Sequence, residues 1–189
     1  MRRRLFFALW PSQEEQRLFW STAQDPRLNF SARFLAPETL HLTLAFLPSV
    51  EEEQTEVLIS LVERPLLPMI LLRLDRLLFQ PSGKEGLLWL TAADFCPCLA
   101  YLVESLQKRL IRFGLLAKEE RPFSPHITLA RRVVLPRRPE KGRRQPVVLR
   151  GLAQPIDWRV REMALVSSET LPEGSRYTRL ASWALPTPA

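Results

Sequence analysis

The sequence is poor in the residues that build disulfide frameworks and metal centres: its 189 residues include two cysteines and two histidines. Cys96 and Cys98 are separated only by Pro97, too close for an unstrained disulfide, which speaks against a stapled secreted scaffold and for a reducing cytoplasm. The Cys-Pro-Cys run has no partner pair at zinc-like spacing. Two histidines without clustered cysteines or carboxylates supply too few ligands, so no metal or other cofactor is expected. Long apolar runs are missing as well. Stretches such as Leu66 to Leu72 fall far short of the roughly 20 residues of a membrane-spanning helix, so no membrane association is expected. The N-terminal Arg2-Arg3-Arg4 and the short apolar stretch ending at Trp10-Pro11 contain no small-residue cleavage site. They read as a buried first strand, not a signal peptide. The absence of a Gly-x-Ser-x-Gly elbow removes the hydrolase triad built on that turn.

What is present is a 46% hydrophobic composition, enough for a packed core in one domain spanning 1–189 or in two small fused lobes. Charge is unevenly distributed. Between Arg131 and Arg150 stand eight Lys or Arg against Glu140 alone, so this segment carries the whole net charge of +7. Such a cluster reads either as a footprint for a polyanion or as a solvated Pro-rich loop.

Hydropathy patterning gives a strand over 4–9, a helix beginning near Ser12, and short strands at 33–36 and 41–47 separated by Pro37. A second helix is expected over 51–64, then strands at 66–74, 77–80 and 86–91 as a meander. A long amphipathic helix over 95–113 stops at Gly114, the residue type favoured just past a helix end. Strands at 126–131, 147–152, 160–167 and 177–185 follow, with 136–146 a loop. Hairpin-like strands mixed with helices indicate an α+β fold with mainly antiparallel sheets and outer helices.

The sequence also repeats itself. His41-Leu42-Thr43-Leu44-Ala45 returns as His126-Ile127-Thr128-Leu129-Ala130, and each copy is preceded by a Pro-containing segment. These are the only two histidines, and two facing half-domains, each contributing one His-x-Thr, would explain the recurrence. On a strand, His and Thr share one face while the aliphatic residues share the other. The aliphatic face anchors the strand and the open face presents an imidazole and a hydroxyl. A single His-x-Thr would more often be a satisfied polar pair on a sheet; the second copy changes that balance. Imidazole titrates near neutrality, so two of them can act as base and acid. Phosphoryl transfer requires that pairing, because the attacking and leaving oxygens lie on opposite sides of phosphorus. The Thr hydroxyls can donate to the non-bridging oxygens, and Arg131 can add a two-pronged donor. Arg131 is an odd number of residues from His126, however, so only a bulge or a strand end would aim it at the same face.

These segments, together with the opening Arg4-Leu5-Phe6-Phe7-Ala8-Leu9, Phe123-Ser124-Pro125 before His126, and Gly174-Ser175-Arg176-Tyr177 to Trp183, resemble the two-histidine phosphoesterase superfamily. More closely they resemble the LigT-like RNA 2′,3′-cyclic phosphodiesterases, historically called 2′-5′ RNA ligases. The resemblance implies a bilobal fold of two antiparallel sheets around a cleft, and metal-free opening of a 2′,3′-cyclic phosphate, on RNA or a cyclic nucleotide, to a 2′-phosphate. It implies His41 as the acid that protonates the leaving 3′ oxygen and His126 as the base that activates water. Thr43, Thr128 and Arg131 match phosphate contacts, and Phe46 matches a position beside the nucleoside, although on its own a Phe there would more often be a core aromatic. The Arg-rich stretch 132–144 is expected to raise affinity for longer RNA. A monomer is expected. Ligation or cleavage of 2′-5′ linkages at the same site and a non-catalytic RNA-binding module are the other functions considered. Retention of both His-x-Thr pairs weighs against the latter.

Overall fold

The computed structural model describes residues 2–25, 27–62, 68–94, 96–117, 122–137, 144–172 and 174–186. In chain order the elements are β1 (Arg2–Leu9), α1 (Gln13–Thr22), β2 (Ser31–Phe34), a 3₁₀ turn (Pro37–Thr39), β3 (Leu42–Glu51), α2 (Gln54–Ser60), β4 (Ile70–Ser82) and β5 (Glu85–Ala92). After them come α3 (Pro97–Arg112), β6 (Ile127–Val134), β7 (Val147–Val160), β8 (Glu162–Leu171) and β9 (Gly174–Ala184). The fold is α+β and every strand pair in it is antiparallel.

The strands run in the order β7-β4-β5-β6-β3-β1-β8-β9, with β2 added to β6. The middle of that order falls between β6 and β3, which pair only at Leu42 and Ile127. One side of this junction holds five strands, β2 included, and the other four, and the two sheets expected from the sequence are joined here into one. Leu42 and Ile127 occupy equivalent positions in the repeated segment, so the junction relates one copy to the other.

One face of the sheet carries the main core. Leu5, Phe7 and Leu9 of β1 pack there with Leu42, Leu44, Leu88, Leu90, Ile127 and Leu129, all nearly or fully buried. The helices cover this face: α1 contributes Phe19, α2 Leu58, and α3 Leu99, Leu102, Val103, Leu106 and Leu110 at helical spacing. On the other face, Phe6 and Ala8 form a small separate cluster with Ala164 and Val166, flanked by Trp10 and Tyr177. Phe19 meets Trp158 edge-on at 5.3 Å, tying α1 to β7.

Local chemistry sets the helix ends. Ser12 Oγ accepts from the Glu15 amide at 3.2 Å and the Glu15 carboxylate accepts from the Ser12 amide at 2.7 Å, a reciprocal cap that starts α1 where expected. Beyond α3, Gly114 takes φ 67°, and the amides of Gly114 and Leu115 donate to the carbonyls of Ile111 and Leu110, both at 2.9 Å. The left-handed glycine thus satisfies carbonyls that the helix end leaves open.

Several boundaries differ from the sequence reading, and each has a cause. Strand β3 runs through Pro48 to Glu51, so α2 starts at Gln54; Pro48 is accommodated by an irregularity where β3 passes β1. The two expected strands at 66–74 and 77–80 are one strand from Ile70. The expected gap between 152 and 160 is continuous strand: residues between Gly151 and Ile156 bulge past Asp75, which gives Pro155 a place on an edge strand where it breaks no ladder. Residues 138–143, the centre of the Arg-rich stretch, lie outside the described residues, as do 63–67.

Gly86 shows how closely the strands approach. A Cβ there would lie 2.2 Å from the Phe79 ring and 2.7 Å from the Gln80 carbonyl oxygen. Gly86→Ala is expected to lower the unfolding free energy by about 1–3 kcal/mol in urea melts, through overpacking against a buried ring. A loss below about 0.5 kcal/mol would show that β4 and β5 can separate at that point.

Candidate active site

Strands β3 and β6 leave their junction in opposite directions, each carrying one copy of the repeated segment. His41 and His126 immediately precede Leu42 and Ile127, so the one pair that joins the two units also sets the histidines side by side. Both line a cavity of about 370 Å³ together with Thr43, Thr128, Phe46 and Arg131. All six residues singled out from the sequence therefore line one cavity. Arg4, Phe6 and Tyr177 complete much of the rest.

Arg131 reaches this cavity through a bulge. Along β6, Thr128 is opposite Trp89 and Ala130 opposite Leu88, so Leu129 is an extra residue, and Leu129 and Ala130 are consecutively buried. That slip reverses the alternation and turns Arg131 to the side of His126 and Thr128. Strand β3 carries the same device: Thr43 is opposite Ala8 and Ala45 opposite Phe7, Leu44 is extra, and Leu44 and Ala45 are both buried. The residue so re-aimed is Phe46, 46% exposed, which is cavity wall and not core. Phe46 and Arg131 are thus equivalent positions of the repeat with different chemistry.

The imidazoles are held alike. His41 Nδ1 lies 2.7 Å from the Thr39 carbonyl and His126 Nδ1 lies 2.8 Å from the Ser124 carbonyl, in each case two residues upstream. A carbonyl can only accept, so Nδ1 carries the hydrogen and donates it, leaving the Nε2 lone pair to exchange protons with an occupant of the cavity. The segments supplying those carbonyls are themselves fixed by buried polar side chains. Gln16 Nε2 donates to the Glu38 and Leu40 carbonyls at 3.2 and 3.3 Å, and Thr91 Oγ1 donates to the Pro125 carbonyl at 2.6 Å. Gln16 and Thr91 are 4% and 6% exposed. Neither was apparent from the sequence, though a glutamine three residues before Phe19 on the inner face of α1 is the kind of polar intruder that marks such a role.

The rings around the two histidines differ. His41 stacks on Phe6 at 4.7 Å and on Trp10 at 5.3 Å, and Tyr177 meets it edge-on at 5.3 Å. His126 stacks on Trp89 at 3.8 Å. Burial lowers the His41 pKa from 6.5 to about 4; the bond to Thr39 opposes this, while the charges of Arg131 and of a protonated His126 add to it. Burial also lowers the pKa of His126, against its bond to Ser124. Among the described residues, no group of three or more His, Cys, Asp or Glu gathers where it could hold a metal ion. In this state the site holds two neutral imidazoles beside a fixed guanidinium, an arrangement suited to an anion.

Three comparisons with known proteins bear on this site. A model of the 2′-5′ RNA ligase superfamily matches residues 11–171. The RNA 2′,3′-cyclic phosphodiesterase of Escherichia coli (strain K12) is 31% identical over 187 residues, covering 96% of either chain. The protein of that name from Thermus thermophilus is 32% identical, covering 96% of this chain and 90% of its own. Among solved structures, Escherichia coli LigT complexed with 3′-AMP superposes with a TM-score of 0.77 at 31% identity, covering 99% of this chain and 100% of the other.

Because the His41 pKa falls on folding, His41 contributes stability above about pH 6.5 that is lost as pH drops toward about 4, where the folded protein also takes up the proton. Denaturant melts at pH 7 and pH 4 should show a loss of about 3 kcal/mol from this residue, absent in His41→Gln. Parallel acid profiles for the two proteins would contradict the depressed value.

Proposed function

Because the chain belongs to the 2′-5′ RNA ligase superfamily, we propose that it hydrolyses the 2′,3′-cyclic phosphate at an RNA 3′ end to a 2′-phosphate, with His41 and His126 as acid and base. The observation that carries this proposal is the paired geometry: two imidazoles lining one cavity, both oriented through Nδ1 so that Nε2 is the exchanging nitrogen.

In the proposed reaction a water molecule attacks phosphorus opposite the 3′ oxygen. His126 takes the proton from the water as the new P–O bond forms, and His41 gives a proton to the 3′ oxygen as the old bond breaks. The 2′ oxygen keeps the phosphate, and one proton enters and one leaves the pair. An acid with a pKa near 4 would be mostly unprotonated at neutral pH, but the incoming phosphate supplies a negative charge beside it and offsets the guanidinium of Arg131. Binding of substrate thus raises the His41 pKa toward the working range. Thr43, Thr128 and Arg131 donate to the non-bridging oxygens, and Phe46 offers a face to the terminal base.

Both histidines come from one chain, so we take the functional unit to be a monomer. The free thiols of Cys96 and Cys98 suit a reducing cytoplasm. No helix among the described residues is long and apolar enough to cross a membrane. The description of the matching family also names ligation. The same two groups would serve it if a ribose hydroxyl replaced water as nucleophile, and identifying the product separates the two outcomes.

His41→Ala and His126→Ala should each lower kcat on an RNA with a 2′,3′-cyclic end by roughly a hundred- to ten-thousand-fold, with an unchanged circular dichroism spectrum. Wild-type activity should persist in chelator and yield the 2′-phosphate. Near-wild-type turnover by either variant, or loss of activity in chelator, would remove the two-histidine mechanism.

A further inference from the structure

A second cavity of about 590 Å³ adjoins the first and shares Leu35, Thr39, Arg131, Thr170, Ser175 and Tyr177 with it. Nothing in the chemistry proposed above uses it. Its volume lies within the range of roughly 300–1,000 Å³ typical of small-molecule sites. Three arginines, Arg33, Arg131 and Arg132, line it against the single carboxylate of Glu85 among the described residues. Phe34, 38% exposed, gives it an aromatic wall.

The backbone departs from regular strand to build this wall. Arg132 takes φ 53°, among described residues the only non-glycine at positive φ. Across β2, Arg33 is opposite Arg131 and Ser31 opposite Val134; across β5, Leu88 is opposite Ala130 and Gly86 opposite Val133. Both partners therefore see an extra residue at the Arg131-Arg132 step. In a regular strand these neighbours would point to opposite faces, whereas here both line the same cavity. A left-handed arginine costs energy that a regular strand would not, and strain of this kind is characteristic of sites that use it.

The two cavities together present a repeating pattern. The first has an exposed ring, Phe46, beside Arg131; the second has an exposed ring, Phe34, beside Arg33 and Arg132, and Arg131 stands in the shared wall. A ring for each base and cationic donors for each linking phosphate is the arrangement that holds single-stranded nucleic acid. We propose that the second cavity is a subsite for the penultimate nucleotide of the RNA. Phe34 stacks on its base, and Arg132 with Arg33 holds the phosphodiester that joins it to the terminal nucleotide. This rests on the cyclic-phosphate reading of the first cavity and adds that the enzyme measures its substrate beyond the last residue.

The test compares kcat/KM for a mononucleoside 2′,3′-cyclic phosphate with that for a dinucleotide carrying the same end, in wild type, Arg132→Gly and Phe34→Ala. Glycine accepts φ 53° without strain, so Arg132→Gly removes the guanidinium while keeping the bulge. The wild type should favour the dinucleotide by at least about tenfold, chiefly through KM. Each variant should lose most of that preference while its mononucleotide kcat/KM stays within about twofold of wild type. A wild type indifferent to the added nucleotide, or variants that weaken both substrates equally, would overturn the subsite and leave the cyclic-phosphate reading standing. Failure of the wild type to open either substrate would instead overturn the underlying reaction.

Discussion

The molecule turns on one pair of residues. Leu42 and Ile127 are the only point at which β3 and β6 pair, and through them a five-stranded and a four-stranded unit become one sheet. Each of the pair is fully or almost fully buried on the core face. Because side chains alternate along a strand, burying these two aliphatic residues obliges the residue before each to face the other way. The histidines are therefore placed by hydrophobic packing behind them, and what remains for polar interactions is to fix the orientation of the rings. The carbonyls of Thr39 and Ser124 do that, and Gln16 and Thr91 hold the chain around those carbonyls.

The same packing sets the electrostatics. Aromatic rings around His41 and the indole against His126 remove water from the imidazoles, and desolvation is the main cause of the fall in both pKa values. The guanidinium groups of Arg131 and Arg4 line the same cavity. Under the proposed mechanism, the negative charge of the substrate phosphate would favour protonation of these imidazoles. The cavity thus combines two guanidinium groups, those of Arg4 and Arg131, with two desolvated imidazoles.

Much of this was legible in the sequence because periodicity and repetition are local signals. The recurrence of His-x-Thr, the Gly114 stop and the Ser12 start each concern a few adjacent residues, and each has its counterpart in the structure. What was not legible depends on partners far away in the chain. The slip at Leu129 is defined by Leu88 and Trp89, some forty residues earlier, so the odd offset of Arg131 indicated only that something must break the alternation. The matching slip at Leu44 left no comparable clue, because a phenylalanine is at home on either face of a strand. The expected strands at 41–47 and 147–152 stopped short of Pro48 and Pro155, yet both prolines sit inside strands where an irregular register frees them from donating to the ladder. The depth of burial around His41 likewise follows from Phe6, Trp10 and Tyr177 gathering around it from distant parts of the chain, which no stretch of sequence contains.

The paired bulges have one further consequence. A device with perfect twofold likeness would accept a linear polymer in either sense, since both ends of its groove would look the same. Here the equivalent fifth residues after the histidines are Phe46 on one strand and Arg131 on the other, an apolar ring facing a cation. With the different rings around the two histidines, that divergence makes the two ends of the groove unlike. For the proposed substrate, a chain with distinct 5′ and 3′ directions, that difference would favour one orientation, although both strands carry the same slip, at Leu44 and Leu129.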